Sequence, residues 1–356
     1  MSFFFISAQE LDAILAGWAW PAYRGKQIWE WVYQKLVNDP SQMTNLSKAV
    51  RDRLAGEFDF STAEISKRQL SEDGTLKLLL QWPKKSADSN PQVLSESAET
   101  VMIPDERRRT ACVSSQIGCP VGCKFCASGI DGLQRNLTAG QIVEQVFALN
   151  RELAPQKERI TNIVFMGMGE PLANYANVLK AVRILHDPNG FNIGARKITI
   201  STVGVPAKMR QLAEEDLPLN LAISLHAPEE SLRRQLIPWA EHFALEEILD
   251  AARYYFDKTG REVTLEYILL AGVNDQPQHA KKLARLCKTL RANVNLIRYN
   301  PVADLGFERP EAKSCVEFQN ILRNAGINAH LRKSRGRDID AACGQLRRKT
   351  AATATV

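Results

Sequence analysis

Three cysteines, Cys119, Cys123 and Cys126, lie close together and carry the clearest chemical signal in the sequence. Their spacing is C-x3-C-x2-C, with Phe125 directly before the last cysteine. Three thiolates on one tight loop can bind three irons of a cubane [4Fe–4S] cluster and leave the fourth iron open for a ligand. The spacing therefore indicates a reactive cluster rather than a purely structural site.

The spacing alone leaves two other interpretations open, a structural zinc site and a disulfide framework. A structural zinc ion normally takes four protein ligands, often as two separated C-x2-C pairs, and here the second pair is missing. Seven cysteines is an odd number for disulfide pairing, and the apolar start Met1–Ile6 carries no basic residue of a secretory signal. No apolar run approaches the ~18 residues that a membrane span requires. We therefore expect a cytoplasmic protein without membrane association, in a reducing compartment.

The distribution of charge favours a nucleic-acid partner. The chain has 356 residues and a formal net charge of +6. Basic residues concentrate in residues 332–349, in Arg107–Arg109, and at Arg24 and Lys26 within an aromatic-rich segment. Such clusters neutralise phosphate groups in nucleic-acid complexes, although each one taken alone also fits a solvated basic face.

Residues 1–60 have a helical pattern. Apolar residues recur four apart in two stretches, which are Ile28, Val32 and Leu36, then Leu46, Val50 and Leu54. Tryptophans and tyrosines are dense here, and most of them fit the core of a small domain, while one or two could stack on RNA bases. We interpret residues 1–60 as a small helical RNA-binding domain.

Residues 61–111 have an extended pattern. Leucines alternate at 76, 78 and 80, and residues 83–91 are polar without a period. We interpret 61–111 as a β-rich connection with a loop at 83–91. The catalytic part would then cover 112–346, followed by a basic tail at 347–356.

The remaining chain alternates between strand-like and helical patterns. Strands are predicted at 160–166, 197–202, 219–225, 262–270, 293–299 and 327–332. Helices are predicted from a capping box at Thr138 and Gln141, and over 178–185, 248–255, 280–290 and 316–322. Buried strands that alternate with helices indicate an α/β fold with a parallel sheet. With a strand near Cys112 the count is six or seven, which predicts an open, partial barrel whose site lies at the carboxyl ends of the strands.

Several polar residues stand at those predicted strand ends. Gly167–Pro171 follows the first strand, and its Glu170 could accept a hydrogen bond from an ammonium group. Comparable positions follow the later strands, at Ser201, at Ser224 with His226, and at Asn300. Each could be a satisfied structural group, but four sets at equivalent ends favour a common binding site.

These segments resemble the radical S-adenosylmethionine RNA methyltransferases of the RlmN/Cfr family, over about residues 23–346. The shared motifs are, in chain order, Tyr23–Ile28, Glu99–Val101, Cys112–Gln116, the cysteine loop, Arg135–Leu137, Gly167–Pro171, Ser224–Pro228, Asn300–Pro301 and Asp340–Leu346. The cysteine loop alone is typical of the whole radical-SAM superfamily, whereas Ala342–Gln345 narrows the resemblance to this family. Arg298 departs from the pattern, since a proline is expected there, and this puts the local backbone shape in doubt.

The resemblance implies a partial (β/α)6-type radical-SAM barrel with a small helical N-terminal domain. It also implies that Cys119, Cys123 and Cys126 ligate a [4Fe–4S] cluster whose open iron is capped by S-adenosylmethionine. The positions that match the family's S-adenosylmethionine-binding residues are Gly169, Glu170, Ser201, Ser224, Leu225, His226 and Asn300.

The resemblance further implies how a poorly nucleophilic ring carbon is methylated. Cys343 is methylated first, and a radical derived from a second S-adenosylmethionine then removes a hydrogen from that methyl group. The carbon radical adds to the adenine and crosslinks protein to RNA. Cys112 resolves the crosslink through a transient disulfide with Cys343, and Glu99 matches the proton acceptor.

For the substrate, the resemblance implies carbon 2 of an adenine in 23S rRNA and in tRNA, with flavodoxin or ferredoxin as electron donor. Carbon-8 methylation of the same rRNA adenine, as in the antibiotic-resistance relatives, is an alternative. A second alternative of a different class is a non-catalytic RNA-binding protein of ribosome assembly, stapled by zinc or by a cluster.

Overall fold

A ten-stranded sheet organises the computed structural model, which describes residues 1–82, 96–303 and 305–346. The strands are β1 Glu64–Leu70, β2 Leu76–Trp82, β3 Glu96–Asp105, β4 Arg108–Cys112, β5 Gln116–Gly118, β6 Leu133–Asn136, β7 Asn162–Phe165, β8 Ile198–Thr202, β9 Asn220–Ser224, β10 Val263–Leu269, β11 Ala292–Arg298 and β12 Ala329–Arg332. The helices are α1 Ala8–Gly17, α2 Tyr23–Tyr33, α3 Lys48–Glu57, α4 Ala139–Leu153, α5 Tyr175–His186, α6 Pro206–Ala213, α7 Glu230–Leu236, α8 Leu245–Thr259, α9 Pro277–Cys287 and α10 Ala312–Asn324. The loop predicted at 83–91 and the tail at 347–356 lie outside the described residues.

The sheet has a parallel part that forms the predicted partial barrel. Its order is β4-β7-β8-β9-β10-β11-β12, and each neighbouring pair is parallel. Helices alternate with these strands, so six strand–helix units precede β12. Within the described residues β12 pairs with β11 alone, so the barrel is open. The α/β fold class and the predicted count of six or seven strands are confirmed.

Burial of apolar strands and helix faces holds these layers together. Strand β10 is buried at six of its seven positions, as expected for a strand covered on both faces. Helix α4 begins at the predicted capping box. The Thr138 hydroxyl accepts from the backbone amide of Gln141, and the side-chain oxygen of Gln141 accepts from the backbone amide of Thr138. Its Ile142, Val146 and Phe147 are at most 1% exposed, and each such side chain stabilises the fold by about 1.5–3 kcal/mol.

Three residues of the helical spacing, Leu36, Leu46 and Leu290, lie outside the helices, and the predicted end of the helix at 290 is wrong. Helix α2 ends at Tyr33, and Leu36 has a φ of +59°, which a right-handed helix cannot accommodate. Leu46 precedes the N-cap Ser47 of α3, and Leu290 lies beyond α9. The apolar spacing continued past these helices because the flanking loops also fold onto the core, where Leu46 is buried.

The N-terminal aromatic residues divide into a buried group and a surface group. Trp29 and Tyr33 pack with Phe3, and Phe4 contacts Phe147 of α4 at 5.0 Å between ring centroids. Other rings lie near the surface beneath cations, with Arg53 over Trp18 and Lys35 over Trp31, and Tyr23 is 56% exposed. The buried group fastens the N-terminal helices to the barrel.

Strands β1 to β4 extend the barrel sheet with antiparallel pairs. The four strands within 64–82 and 96–112 thus lie in the same sheet as the other parallel strands, and the division of the chain at 60, 111 and 346 stays a prediction. Among the described residues, no helix combines the length and the apolar character needed to cross a lipid bilayer.

Candidate active site

A cavity opens where the parallel strands end. Residues from the cysteine loop, from five of the parallel strands (β7 to β11) and from the C-terminal segment line it together. Among the predicted site residues these are Cys119, Cys123, Cys126, Gly169, Glu170, Ser201, Ser224, His226 and Cys343. Residues separated by more than 200 positions in the sequence therefore meet in one cavity, at the edge of the sheet where they were expected.

The hairpin of β5 and β6 presents the cysteine loop. Gly118 has a φ of +74°, and a Cβ at this position would lie 1.9 Å from the carbonyl oxygen of Gly132. The amide of Cys119 donates to that same oxygen at 3.1 Å, and the amide of Lys124 donates to Leu236 at 2.9 Å. Glycine at 118 therefore permits the close crossing that closes the base of the loop.

The three thiols suit a cluster that supplies positive charge. Burial raises the pKa of Cys119 to about 12, and it also raises the pKa of Cys123 and of Cys126. Buried thiols of this kind stay protonated without a cation, and bonding to iron stabilises the thiolate form. Among the residues that the structure describes, no three His, Cys, Asp or Glu side chains are grouped to hold a metal ion. The three thiols instead line one cavity together with Glu170 and His226.

Arg233 was not singled out from the sequence. Its guanidinium is 1% exposed, donates to the carbonyl oxygen of Val203, and opposes the burial-driven rise in the pKa of Cys123. A buried cation beside the cysteine loop favours thiolate sulfur there.

The Gly167–Pro171 loop forms a second wall of the cavity. Gly169 has a φ of +106°, and a Cβ there would lie 2.6 Å from Cβ of Gln116, so the backbone passes close to the neighbouring strand. The Glu170 carboxylate accepts hydrogen bonds from the amides of Leu172 and Val203, both at 2.9 Å. Burial raises the pKa of Glu170 to about 7. The Thr202 side chain also hydrogen-bonds to this carboxylate. A carboxylate has about four lone-pair sites, so at least one remains for the predicted ammonium ligand.

His226 and two serines form the opposite wall. Burial lowers the pKa of His226 to about 3, and its Nδ1 accepts from the Ile268 amide at 3.0 Å. The imidazole is therefore neutral and carries its proton on Nε2. The hydroxyls of Ser201 and Ser224 lie 3.4 Å apart. This wall offers neutral hydrogen-bonding groups to a polar ligand.

The C-terminal segment that carries Cys343 is tied to the cysteine loop. The Ser128 hydroxyl, next to the cysteine loop, donates to the carbonyl oxygen of Leu346 at 2.6 Å. The Gln345 side-chain amide also donates to the carbonyl oxygen of Pro301, beyond β11, at 3.1 Å. Cys343 lines the main cavity and also a second cavity, whose walls include Cys112 and Asn300. Cys343 therefore stands between the predicted cluster ligands and Cys112.

Cys112 and its surroundings form the second cavity. All seven cysteines are free thiols in the structure. Burial raises the pKa of Cys112 to about 12, and nearby Arg332 opposes that rise. Arg332 lines the same cavity and lies 3.7 Å from a carboxylate oxygen of Glu266, which is 3% exposed. Neither Arg332 nor Glu266 was predicted to be a site residue. Glu266 could have been found, because a charged residue within the apolar strand β10 indicates a buried functional or paired group.

Two predicted site residues line neither cavity. Leu225 is fully buried in the core. Glu99 forms an ion pair with Lys77 at 3.0 Å instead. Asn300 reaches the second cavity only, and its side-chain oxygen accepts from Arg309 at 2.7 Å. Arg298, where a proline was expected, ends β11 and donates to the carbonyl oxygen of Pro310.

Comparison with known proteins agrees with this site. Residues 113–284 match the radical SAM superfamily, and residues 3–59 match the ribosomal RNA large subunit methyltransferase N-terminal domain. A solved radical SAM methyltransferase from Sphaerobacter thermophilus is 43% identical, with a TM-score of 0.91 over 98% of this chain and 99% of that chain. The fold and the cysteine loop define a radical S-adenosylmethionine methyltransferase, an enzyme class that uses a [4Fe–4S] cluster and S-adenosylmethionine.

Similarity to curated relatives identifies the family within this enzyme class. A probable dual-specificity RNA methyltransferase RlmN from Dictyoglomus turgidum is 47% identical over 95% of this chain and 94% of its own length. The protein of the same name from Symbiobacterium thermophilum is 49% identical over 97% of this chain and 90% of its own length. The chain belongs to the RlmN family.

Proposed function

We propose that this chain methylates carbon 2 of adenine in 23S rRNA and in tRNA, by a radical route through methylated Cys343. The observation that carries the proposal is the position of Cys343, which lines one cavity with the three loop cysteines and another with Cys112. A cysteine between a radical source and a second thiol can carry a methyl group and then be released from the product. The relatives named dual-specificity RNA methyltransferases support RNA as the substrate.

The residues around the main cavity have the chemistry to hold the two cofactors. Cys119, Cys123 and Cys126 would ligate the cluster. Glu170 would accept from the amino group of S-adenosylmethionine, and Gly169, Ser201, Ser224 and His226 would shape the rest of its site. Leu225, buried between Ser224 and His226, would support this wall from behind, and Asn300 would contribute from the second cavity. When bound, these cofactors supply the methyl group and the radical, and the protein supplies placement and exclusion of water.

The side chains of this chain then divide the remaining work. Cys343 holds the methyl group as a thioether, and after loss of one hydrogen its carbon bonds to carbon 2 of the adenine. The adduct would pass one electron to an external one-electron carrier, such as the oxidised flavodoxin or ferredoxin, and its ring proton to Glu99. Cys112 attacks the sulfur of Cys343, the carbon–sulfur bond breaks, and the released carbon takes up a proton to complete the methyl group. The product disulfide of Cys112 and Cys343 must be reduced by an external thiol before the next turnover.

The proposal extends to the parts of the chain around the site. Residues 1–60 would bind RNA, with the exposed Tyr23 and the Arg24 guanidinium, 5.1 Å from its ring centroid, as a surface for stacking. Residues 61–111 would connect this domain to the catalytic residues 112–346, and the basic tail at 347–356 would contact phosphates. The radical chemistry needs one electron for each initiation, which a flavodoxin or a ferredoxin in the cytoplasm would supply.

Mass spectrometry of an RNA digest tests the proposal. Anaerobically purified enzyme is incubated with S-adenosylmethionine, a reductant, and either a 23S rRNA fragment or tRNA lacking the modification. The expected product from both RNAs is 2-methyladenosine. Formation of 8-methyladenosine would show that the enzyme methylates carbon 8 instead of carbon 2. Unmodified RNA from fully cluster-loaded enzyme would favour the non-catalytic alternative.

A further inference from the structure

Lys77 is a buried lysine in the middle of an apolar strand. It lies on β2 between leucines at 76 and 78, and its side chain is 6% exposed. Lysine is almost never buried to this degree unless its charge is paired. The buried Lys77 ammonium group therefore requires an acidic partner and further hydrogen-bond acceptors.

The partner is Glu99, the predicted proton acceptor. The Lys77 Nζ atom lies 3.0 Å from Oε1 of Glu99, whose side chain is 9% exposed. In the sheet register Lys77 pairs with Val101 and Val101 pairs with Cys112, while Glu99 lies two positions from Val101 on β3. Paired residues and residues two apart share one face of a sheet. Lys77, Glu99 and Cys112 therefore occupy the same face on three adjacent strands.

The same ammonium group reaches the segment that carries Cys343. Lys77 Nζ donates to the carbonyl oxygen of Asp340 at 3.1 Å, three residues before Cys343. The turn between β1 and β2 holds this segment as well, because the Ser71 hydroxyl donates to Asp338 and the Gly336 amide donates to Asp73 at 3.0 Å. Lys77 thus contacts the proton acceptor and the backbone of the methyl-carrying segment at once.

We infer that Lys77 is a positioning residue that keeps the Glu99 carboxylate charged and holds it beside the backbone of the Cys343 segment. The inference rests on the proposed function of Glu99 and Cys343. Lys77 acts through Glu99, so its contribution to turnover disappears when Glu99 is removed. Methylation of Cys343 itself precedes the step that uses Glu99 and does not depend on Lys77.

The test compares Lys77→Met, Glu99→Gln and the double variant in the full-length, cluster-loaded enzyme. General-base catalysis contributes on the order of 100-fold or more, so each single variant is expected to lower RNA turnover by about that factor. The double variant is expected to match Glu99→Gln, because two residues that act as a unit are not additive. The mass of the Cys343 peptide is expected to show normal methylation in all three variants.

Matched variants keep the outcomes distinct. Lys67→Met changes an exposed lysine on β1 and is expected to retain normal turnover. Lys77→Arg keeps the cation and is expected to retain at least tenfold more turnover than Lys77→Met. If Lys77→Met does not fold, the double variant, which leaves no buried charge unpaired, is compared with Glu99→Gln alone.

Three results would overturn the inference. These are normal turnover in Lys77→Met, a double variant much slower than Glu99→Gln, or loss of Cys343 methylation in step with RNA turnover, since each points to no role or to a merely structural one. Wild-type enzyme that leaves RNA unmodified would instead reject the proposed function.

Discussion

The backbone amide of Ala127 donates a 2.8 Å hydrogen bond to the carbonyl oxygen of Gly344. Ala127 directly follows the last loop cysteine, Cys126, and Gly344 directly follows Cys343. The main chain itself therefore joins the two chemical segments. Because this bond uses no cysteine side chain, each thiol can be removed without dissolving the connection between the segments.

Replacement of Cys343 by alanine tests cluster assembly and methyl transfer independently. The variant is expected to keep its iron and sulfide, since the Ala127 and Ser128 hydrogen bonds to the segment persist. It is expected to transfer no methyl group to RNA, because the carrier sulfur is gone. Metal analysis and RNA mass spectrometry measure the two properties, and full RNA activity would reject the mechanism.

Replacement of Cys112 by alanine is expected to trap the protein on its RNA. Radical addition through Cys343 precedes the step that needs Cys112, so the variant should stop as a covalent complex. A denaturing gel would show an RNase-sensitive shift of the protein band. The double variant Cys112→Ala/Cys343→Ala serves as the control and should show no shift. Normal turnover by Cys112→Ala would mean that this buried thiol is only a packing residue.

The loop cysteines are expected to hold about four irons per chain, as a cubane cluster requires. Cys126→Ala should lose most of this iron and the brown colour, because three protein ligands are the minimum for such a site. Cys287→Ala removes a buried thiol on α9 that lines neither cavity and should keep the full iron content. Stoichiometric zinc without sulfide in the wild-type protein would contradict the prediction.

The features that could be predicted from the sequence are local or periodic. The cysteine spacing, the buried strands and the capping box at Thr138 depend on residues within a few positions of each other. The spacing of apolar residues could not show that Leu36, Leu46 and Leu290 lie outside the helices, because it does not indicate where the backbone turns. The roles of Lys77, Arg332 and Glu266 were missed since their charged partners lie 22 or more positions away and meet them only in the folded sheet.

The glycine at 169 is expected to be required for binding S-adenosylmethionine. An alanine there would adopt a φ of +106° and press its Cβ to 2.6 Å from Cβ of Gln116, so the loop must move. Such strain costs on the order of 1–3 kcal/mol. We expect Gly169→Ala to bind S-adenosylmethionine roughly 5- to 150-fold more weakly in anaerobic calorimetry. Gly194→Ala, at an ordinary backbone angle with open space around it, should bind normally. Equal affinity in both variants would contradict this prediction.

Burial of Glu144 is expected to make the fold less stable as the pH rises. Its carboxylate accepts from the Trp82 indole at 2.7 Å and the Ala63 amide at 2.9 Å, and burial raises its pKa from 4.5 to about 7. Below 4.5 both folded and unfolded chains are protonated at this site, and above about 7 both are charged. Between these values only the folded chain holds the proton, so the free energy of unfolding falls as the pH rises.

The expected loss attributable to Glu144 between pH 4.5 and 7 is about 3 kcal/mol. Glu170, whose pKa burial also raises to about 7, contributes in the same direction, so wild type alone cannot isolate one residue. Glu144→Gln keeps an oxygen acceptor for Trp82 and removes the titration. Denaturant unfolding of both proteins across this range should therefore give curves that converge as the pH falls. Parallel curves would show that the Glu144 carboxyl titrates alike in the folded and unfolded chains.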